Sequence, residues 1–223
     1  MKFYSPKGTE IGKDEFLCIY SNAYYLKIGK KAVPLENSIE ELIYKKEVLA
    51  PKDFILFLRW KVGDNRTDGN EDIKGRWNKA IPAEKIRELG SSQFVDFTGS
   101  DITKEDLRNM FIRIRDLDVE NLGSVYTLAL VHLITIGKTP LYDKYADVGL
   151  TAAFGDKIIW SDVVYEEMPD KTRKTAVIEQ YCNYKECINT VFGDKWKNSR
   201  VVDQALWTYG HMFNFVKKTK IKK

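Results

Sequence analysis

The chain has 223 residues, 43% of them hydrophobic and 30% charged, which excludes a disordered polymer and allows one large domain or two small ones. Its formal charge of +4 belongs to the last seven residues, KKTKIKK: five of the 36 basic residues sit there, leaving 31 against 32 acidic ones. A body this close to neutral excludes a uniformly basic surface, so any phosphate-binding face needs local clustering or backbone donors.

The opening MKFYSPKGTE has no apolar leader segment, and runs such as VYTLALVHLITI are too short to span a bilayer. A soluble cytoplasmic protein with no membrane association is expected. IYSNAYYLKIGKKAV mixes β-branched and aromatic residues in rough alternation around Gly29, which predicts one or two short strands or an extended arm. SIEELIYKKEVL predicts a helix opening at Ser38, with Ile39, Leu42, Ile43 and Leu49 on one side. Pro51 ends it and starts the next, PKDFILFLRWKVG, since proline suits a first helical turn. VGDNRTDGNEDIKG is polar and glycine-punctuated, an exposed loop, and a short helix follows Pro82. Arg59, Lys61, Arg66, Arg76 and Lys79 in this stretch are candidates to flank a duplex.

The signals strengthen after residue 98. Thr103 and Asp106 have capping-box spacing, with Leu107, Met110, Phe111 and Ile114 at helical intervals behind them. DVENLGS is a tight connection, and SVYTLALVHLITI is a helix apolar all round, hence central. GKTP is a turn, and Lys144 to Phe154 is a further helix, with Asp143 in the favoured capping position before it. Two long amphipathic helices follow, the first ended by Gly193. The chain is read as mostly α: residues 1–95 form an N-terminal elaboration packing on the same core, and residues 96–223 form the main helical region with its basic tail.

The order helix, NLGSV bend, buried helix, proline turn, Asp143, helix resembles the helix-hairpin-helix superfamily of DNA glycosylases. It is most similar to bacterial proteins with an 8-oxoguanine-glycosylase-like fold. Leu122, Gly123, Ser124 and Val125 occupy the hairpin, and Pro140-Leu141-Tyr142-Asp143 matches the acidic segment twenty residues after Gly123. Asp203-Gln204-Ala205-Leu206-Trp207-Thr208-Tyr209-Gly210 matches a later motif, so the likeness covers roughly residues 100–212. It implies a helix-hairpin-helix glycosylase-like helical domain that binds double-stranded DNA through the backbone of residues 122–125, with Asp143 as the catalytic carboxylate. His132, Tyr142, Trp207 and Tyr209 are the implied base-pocket residues. Two departures qualify the likeness: Asn121 replaces the first hairpin glycine, and Val125 stands where strand-cutting members carry a Schiff-base lysine. The resemblance therefore implies a monofunctional base-removing hydrolase. The alternative is a non-catalytic interaction protein that keeps the fold and binds a protein partner.

Each candidate also has a simpler role. Asp143 is a helix cap, His132 a core histidine, and His211 a cation toward the negative end of the last helix. Trp207 and Tyr209 are core and rim aromatics, and Asp203 pairs with Arg200 or caps its helix. Cys18, Cys182 and Cys187 make neither a disulfide set nor a zinc or iron–sulfur site, and the two histidines lack ligand spacing, so no metal and no cofactor is expected.

Overall fold

A computed structural model describes residues 2–46, 48–64, 66, 71–74, 80–91, 102–154, 170–197 and 199–220, with the backbone alone for 154, 170–175 and 213–220. The described chain is mostly helical, with two small antiparallel ribbons. Ribbon β1 (Phe3–Tyr4) pairs with β2 (Glu10–Ile11), and β3 (Ile73–Lys74) with β4 (Ala80–Ile81). The helices are α1 (Lys13–Ile28), α2 (Val33–Tyr44), α3 (Pro51–Val62), α4 (Ala83–Ser91), α5 (Lys104–Asp116), α6 (Ser124–Ile134), α7 (Lys144–Phe154), α8 (Asp170–Phe192) and α9 (Val201–Lys220). A 3₁₀ turn, Gly193–Trp196, follows α8. No helix among the described residues is long and apolar enough to cross a membrane.

The expected strands at residues 19–33 are replaced by α1. Its buried side chains are Phe16, Leu17, Tyr20, Ser21 and Tyr24, a helical stripe that appears only when Phe16 and Leu17 are counted with the tyrosines. Packing on this stripe overrides the β preference of the aromatics. Phe16 stacks on Phe3 with ring centroids 4.0 Å apart, and Phe16 and Tyr20 meet the edge of Tyr209 at 5.2 and 4.9 Å. Helix α2 starts at Val33, five residues before Ser38, because Pro34 enters its first turn. Leu49 lies beyond its end. In α3 the Asp53 carboxylate reaches back to the Ala50 N–H at 2.6 Å, closing the first turn beside Pro51.

The polar stretch after Val62 is not simply an exposed loop. Asp64 and Ile73 are buried, and Asp64 accepts from Arg66 Nε at 2.9 Å and the Lys74 N–H at 3.0 Å. Arg59 donates to the carbonyls of Arg66 and Glu71 at 3.1 and 2.7 Å, filling the loop with its own guanidinium.

Helix α5 opens on the reciprocal cap: Asp106 N–H donates to Thr103 Oγ1 at 3.1 Å and Thr103 N–H to Asp106 Oδ2 at 2.9 Å. Helix α6 is buried without a break from Tyr126 to Ile134 and is the central rod. Helix α9 packs chiefly on α7 and α1. At the α7–α9 crossing the backbones meet through Gly149 and Gly210: a Cβ on Gly210 would lie 1.8 Å from the Tyr145 carbonyl, and one on Gly149 2.3 Å from that of Leu206. One continuous buried cluster runs from Phe3 to Tyr209, joining both halves of the chain.

Candidate functional site

The bend before α6 is set by backbone conformation. Asn121 has φ 62°, the left-handed region, and its amide donates to the Ala80 carbonyl at 2.7 Å, tying the bend to β4. Gly123 is the extended N-cap of α6, exposed, with nothing within 4 Å of where a Cβ would stand. Leu122 is buried and its carbonyl accepts from Arg115, whereas Ser124 and Val125 are half-buried. Helix geometry leaves the first N–H groups of α6, Ser124 and Val125, without intrahelical acceptors, and the helix adds a partial positive charge there.

Asp143 caps α7. Its Oδ1 accepts the Tyr145 N–H at 2.8 Å, the side-chain bond of an N-cap. Its Oδ2 lies 2.8 Å from Nζ of Lys61, and the same ammonium donates to the Tyr142 carbonyl at 3.0 Å. Lys61 is 5% exposed and the Asp143 side chain 22%. Burial works against the charged carboxylate, but the Lys61 charge, its hydrogen bond and the Tyr145 N–H outweigh it, so the group titrates below the ordinary carboxylate range. Its charge acts on Tyr126, one turn into α6, helping burial to push that phenol up.

The other implied pocket residues do not converge on Asp143. His132 is core: its Nδ1 meets the Thr139 carbonyl at 2.5 Å, and since a carbonyl only accepts, Nδ1 carries the proton. Burial pulls the ring down to about 4, leaving it neutral. Nε2 has no hydrogen-bond partner among the described residues, and the ring lines a cavity of about 10 Å³ with Tyr44, Leu141, Ser199 and Asp203. That space suits one water, not a base. Tyr142 is enclosed by Tyr184 and Tyr181, at 5.2 and 6.3 Å between ring centroids, and Tyr209 is buried against α1. Tyr181 and Tyr184 donate to the Pro140 and Leu141 carbonyls at 2.7 and 3.2 Å, so α8 clamps the segment that carries Asp143.

Trp207 alone of the four is half-exposed and near the acid. Its ring meets His211 at 4.0 Å, and His211 stacks on Tyr145 at 3.5 Å, the residue whose N–H holds Asp143. Since α9 continues to Lys220, His211 is mid-helix and packs by its ring instead of meeting the helix end.

Of the residues expected to flank a duplex, Arg59 and Lys61 are turned inward. Arg66 bonds Asp64 and Glu71, while Arg76 and Lys79 lie outside the described residues. Asp203 pairs with Arg200 at 2.9 Å, and Arg200 also meets Glu36 of α2. Glu36 accepts the Tyr24 hydroxyl and the Trp60 N–H, each at 2.7 Å, and the guanidinium carbon lies 4.3 Å from the Trp60 ring centroid. Burial lifts the Asp203 carboxyl even with Arg200 beside it. Local sequence patterns miss the pairing of Lys61, expected to flank a duplex, with Asp143 and that of Glu36 with Arg200, because each joins helices far apart along the chain. The cysteines are free, Cys18 exposed and Cys182 buried. Among the described residues no three His, Cys, Asp or Glu side chains form a metal-holding group.

Set against protein-family models, curated protein sequences and solved structures, the chain matches none.

Proposed function

We propose that this protein binds DNA and removes a base without cutting the strand, with Asp143 as the catalytic carboxylate and the bend at 122–125 as the phosphate clamp. The observation that carries the reading is the Lys61–Asp143 pair. It keeps Asp143 ionised and fixed at the start of α7. A phosphate seats on the N–H groups opening α6, and an extruded nucleotide brings its sugar to the carboxylate. As the C1′–N bond breaks, its electron pair leaves with the base and the sugar becomes cationic. The Asp143 anion stabilises that cation, water adds at C1′, and its proton passes to the carboxylate or the departing base. Val125 supplies no amine, and the Lys61 ammonium is engaged by Asp143 and the Tyr142 carbonyl, so the product is an abasic site in an intact strand.

The first test is fluorescence anisotropy with duplexes containing an abasic-site mimic or none, titrated with salt. The reading requires preference for the mimic and affinity that falls as salt rises. Asp143→Asn should keep that binding and lose base release from duplexes carrying deaminated, oxidised or alkylated bases. Borohydride should trap no covalent complex; a crosslink through Lys61 would make the enzyme a lyase instead.

One observation favours a second reading, a non-catalytic protein that keeps this arrangement to present a surface to a protein partner. Both oxygens of Asp143 are already engaged, one by the cap and one by Lys61, and that is a sufficient structural role. Equal, salt-insensitive weakness for both duplexes, with Asp143→Asn lowering only stability, would decide for it.

A further inference from the structure

We infer that the C-terminal end of α1 and the adjoining face of Trp207 form a track for a single DNA strand. Lys27, Lys30 and Lys31 carry its phosphates and Trp207 takes a base. The inference rests on the DNA reading above and names the strand that leads to Asp143.

The charge is local. Lys27, Lys30 and Lys31 fall within five residues and are exposed, and none has a carboxylate within ion-pair distance among the described residues. Several exposed lysines elsewhere are matched, Lys2 with Glu10, Lys85 with Glu88, Lys104 with Glu179 and Lys195 with Asp14. Those without an ion pair among the described residues, such as Lys7, Lys13 and Lys52, stand apart along the chain where Lys27, Lys30 and Lys31 stand together. On a body close to neutral, an unmatched cluster of this kind is a polyanion contact. Beside it Leu26 is 86% exposed, an apolar neighbour that a sugar or base edge would cover.

The aromatic part is coupled to the charge. Lys27 Nζ sits 5.3 Å from the Trp207 ring centroid, over its face. Tyr24, Tyr145 and His211 hold the indole by tilted or edge contacts at 5.2, 6.3 and 4.0 Å. A base stacking on that face displaces the Lys27 ammonium and frees it for a phosphate. Sequence-tolerant strand binding combines these two parts, cations along the backbone and an aromatic platform for the bases. Ring contacts link Trp207 through His211 to Tyr145, whose N–H holds Asp143.

The test uses the full chain and a fluorescent oligothymidylate, with anisotropy followed over a salt titration. The triple variant K27Q/K30Q/K31Q should lose at least about tenfold in affinity, and its salt slope should shrink by about 2, near 0.7 per phosphate released. A control with the same charge change at exposed sites away from the track, K7Q/K13Q/K52Q, should stay within about twofold of wild type. Trp207→Ala should cost roughly 5- to 100-fold, the range of one base stack, while Trp207→Phe keeps most of the affinity and guards against misfolding. Equal losses in the two triple variants, or an unchanged Trp207→Ala, overturn the track. If the abasic-mimic preference survives while oligothymidylate binding ignores the α1 lysines, the track falls and the DNA reading stands. Patch-dependent oligothymidylate binding with no mimic preference keeps the track without the glycosylase reading. Binding of no DNA in any form ends both.

Discussion

At the scale of single residues, the Lys61–Asp143 pair sets both charge and position at the candidate site. Lys61→Met leaves a largely buried carboxylate without its counter-ion and should cost about 2–3 kcal/mol, toward the low end for broken buried pairs because Asp143 is partly solvated. Urea unfolding at pH 7 would measure it. The folded Asp143 titrates below its ordinary value, so its contribution is present above about pH 4 and is lost as pH falls through the lower folded value. The gap between wild type and Lys61→Met should accordingly narrow in acid. His132 has the same sign. Its folded value, about 4, lies below the unfolded imidazole, so stability is complete above roughly pH 6.5 and drains away as pH drops toward 4. His132→Asn, which keeps a donor for the Thr139 carbonyl, should flatten that part of a plot of melting temperature against pH. An unchanged slope would place the acid sensitivity elsewhere.

At the scale of elements, the glycines divide by what surrounds them. Gly149 and Gly210 let α7 and α9 touch backbone to backbone, which explains why a glycine ends the Trp207-Thr208-Tyr209-Gly210 stretch. Gly210→Ala places a methyl in the Tyr145 carbonyl and should cost more than about 3 kcal/mol or abolish soluble expression, since helices must separate to admit it. Denaturant titration checks this. Gly123 has open space around it and a φ of −72°, so Gly123→Ala should leave stability within about 0.5 kcal/mol. If the bend clamps a phosphate, the same variant should still weaken duplex binding, because the methyl keeps the phosphate off the α6 N–H groups. Unaltered binding would remove the bend from the DNA reading.

At the scale of the whole molecule, the first 95 residues supply parts that the rest cannot do without. Lys61 of α3 completes Asp143, Glu36 of α2 meets Arg200, and Phe16 and Tyr20 of α1 cover Tyr209. A fragment of residues 96–223 would expose that apolar surface and strand a buried guanidinium, so it should show no cooperative unfolding transition by circular dichroism. A sharp transition in the fragment would mean that the two parts fold independently. Restoring residues 1–95 in trans should recover helicity if the interface forms as described.

The elements legible along the chain are those whose signal is local. The Thr103–Asp106 cap, Pro51 in the first turn of α3, the apolar rod of α6, Asp143 before α7 and Gly193 after α8 all act within one or two helical turns. Such spacing is visible without knowing the fold. Packing in three dimensions makes residues 13–28 a helix, turns Arg59 inward, and brings Lys61 to Asp143 across 82 positions and Arg200 to Glu36 across 164. A contact closed through a packed core depends on where two helices cross, and neither partner's neighbours along the chain carry any periodic trace of that crossing.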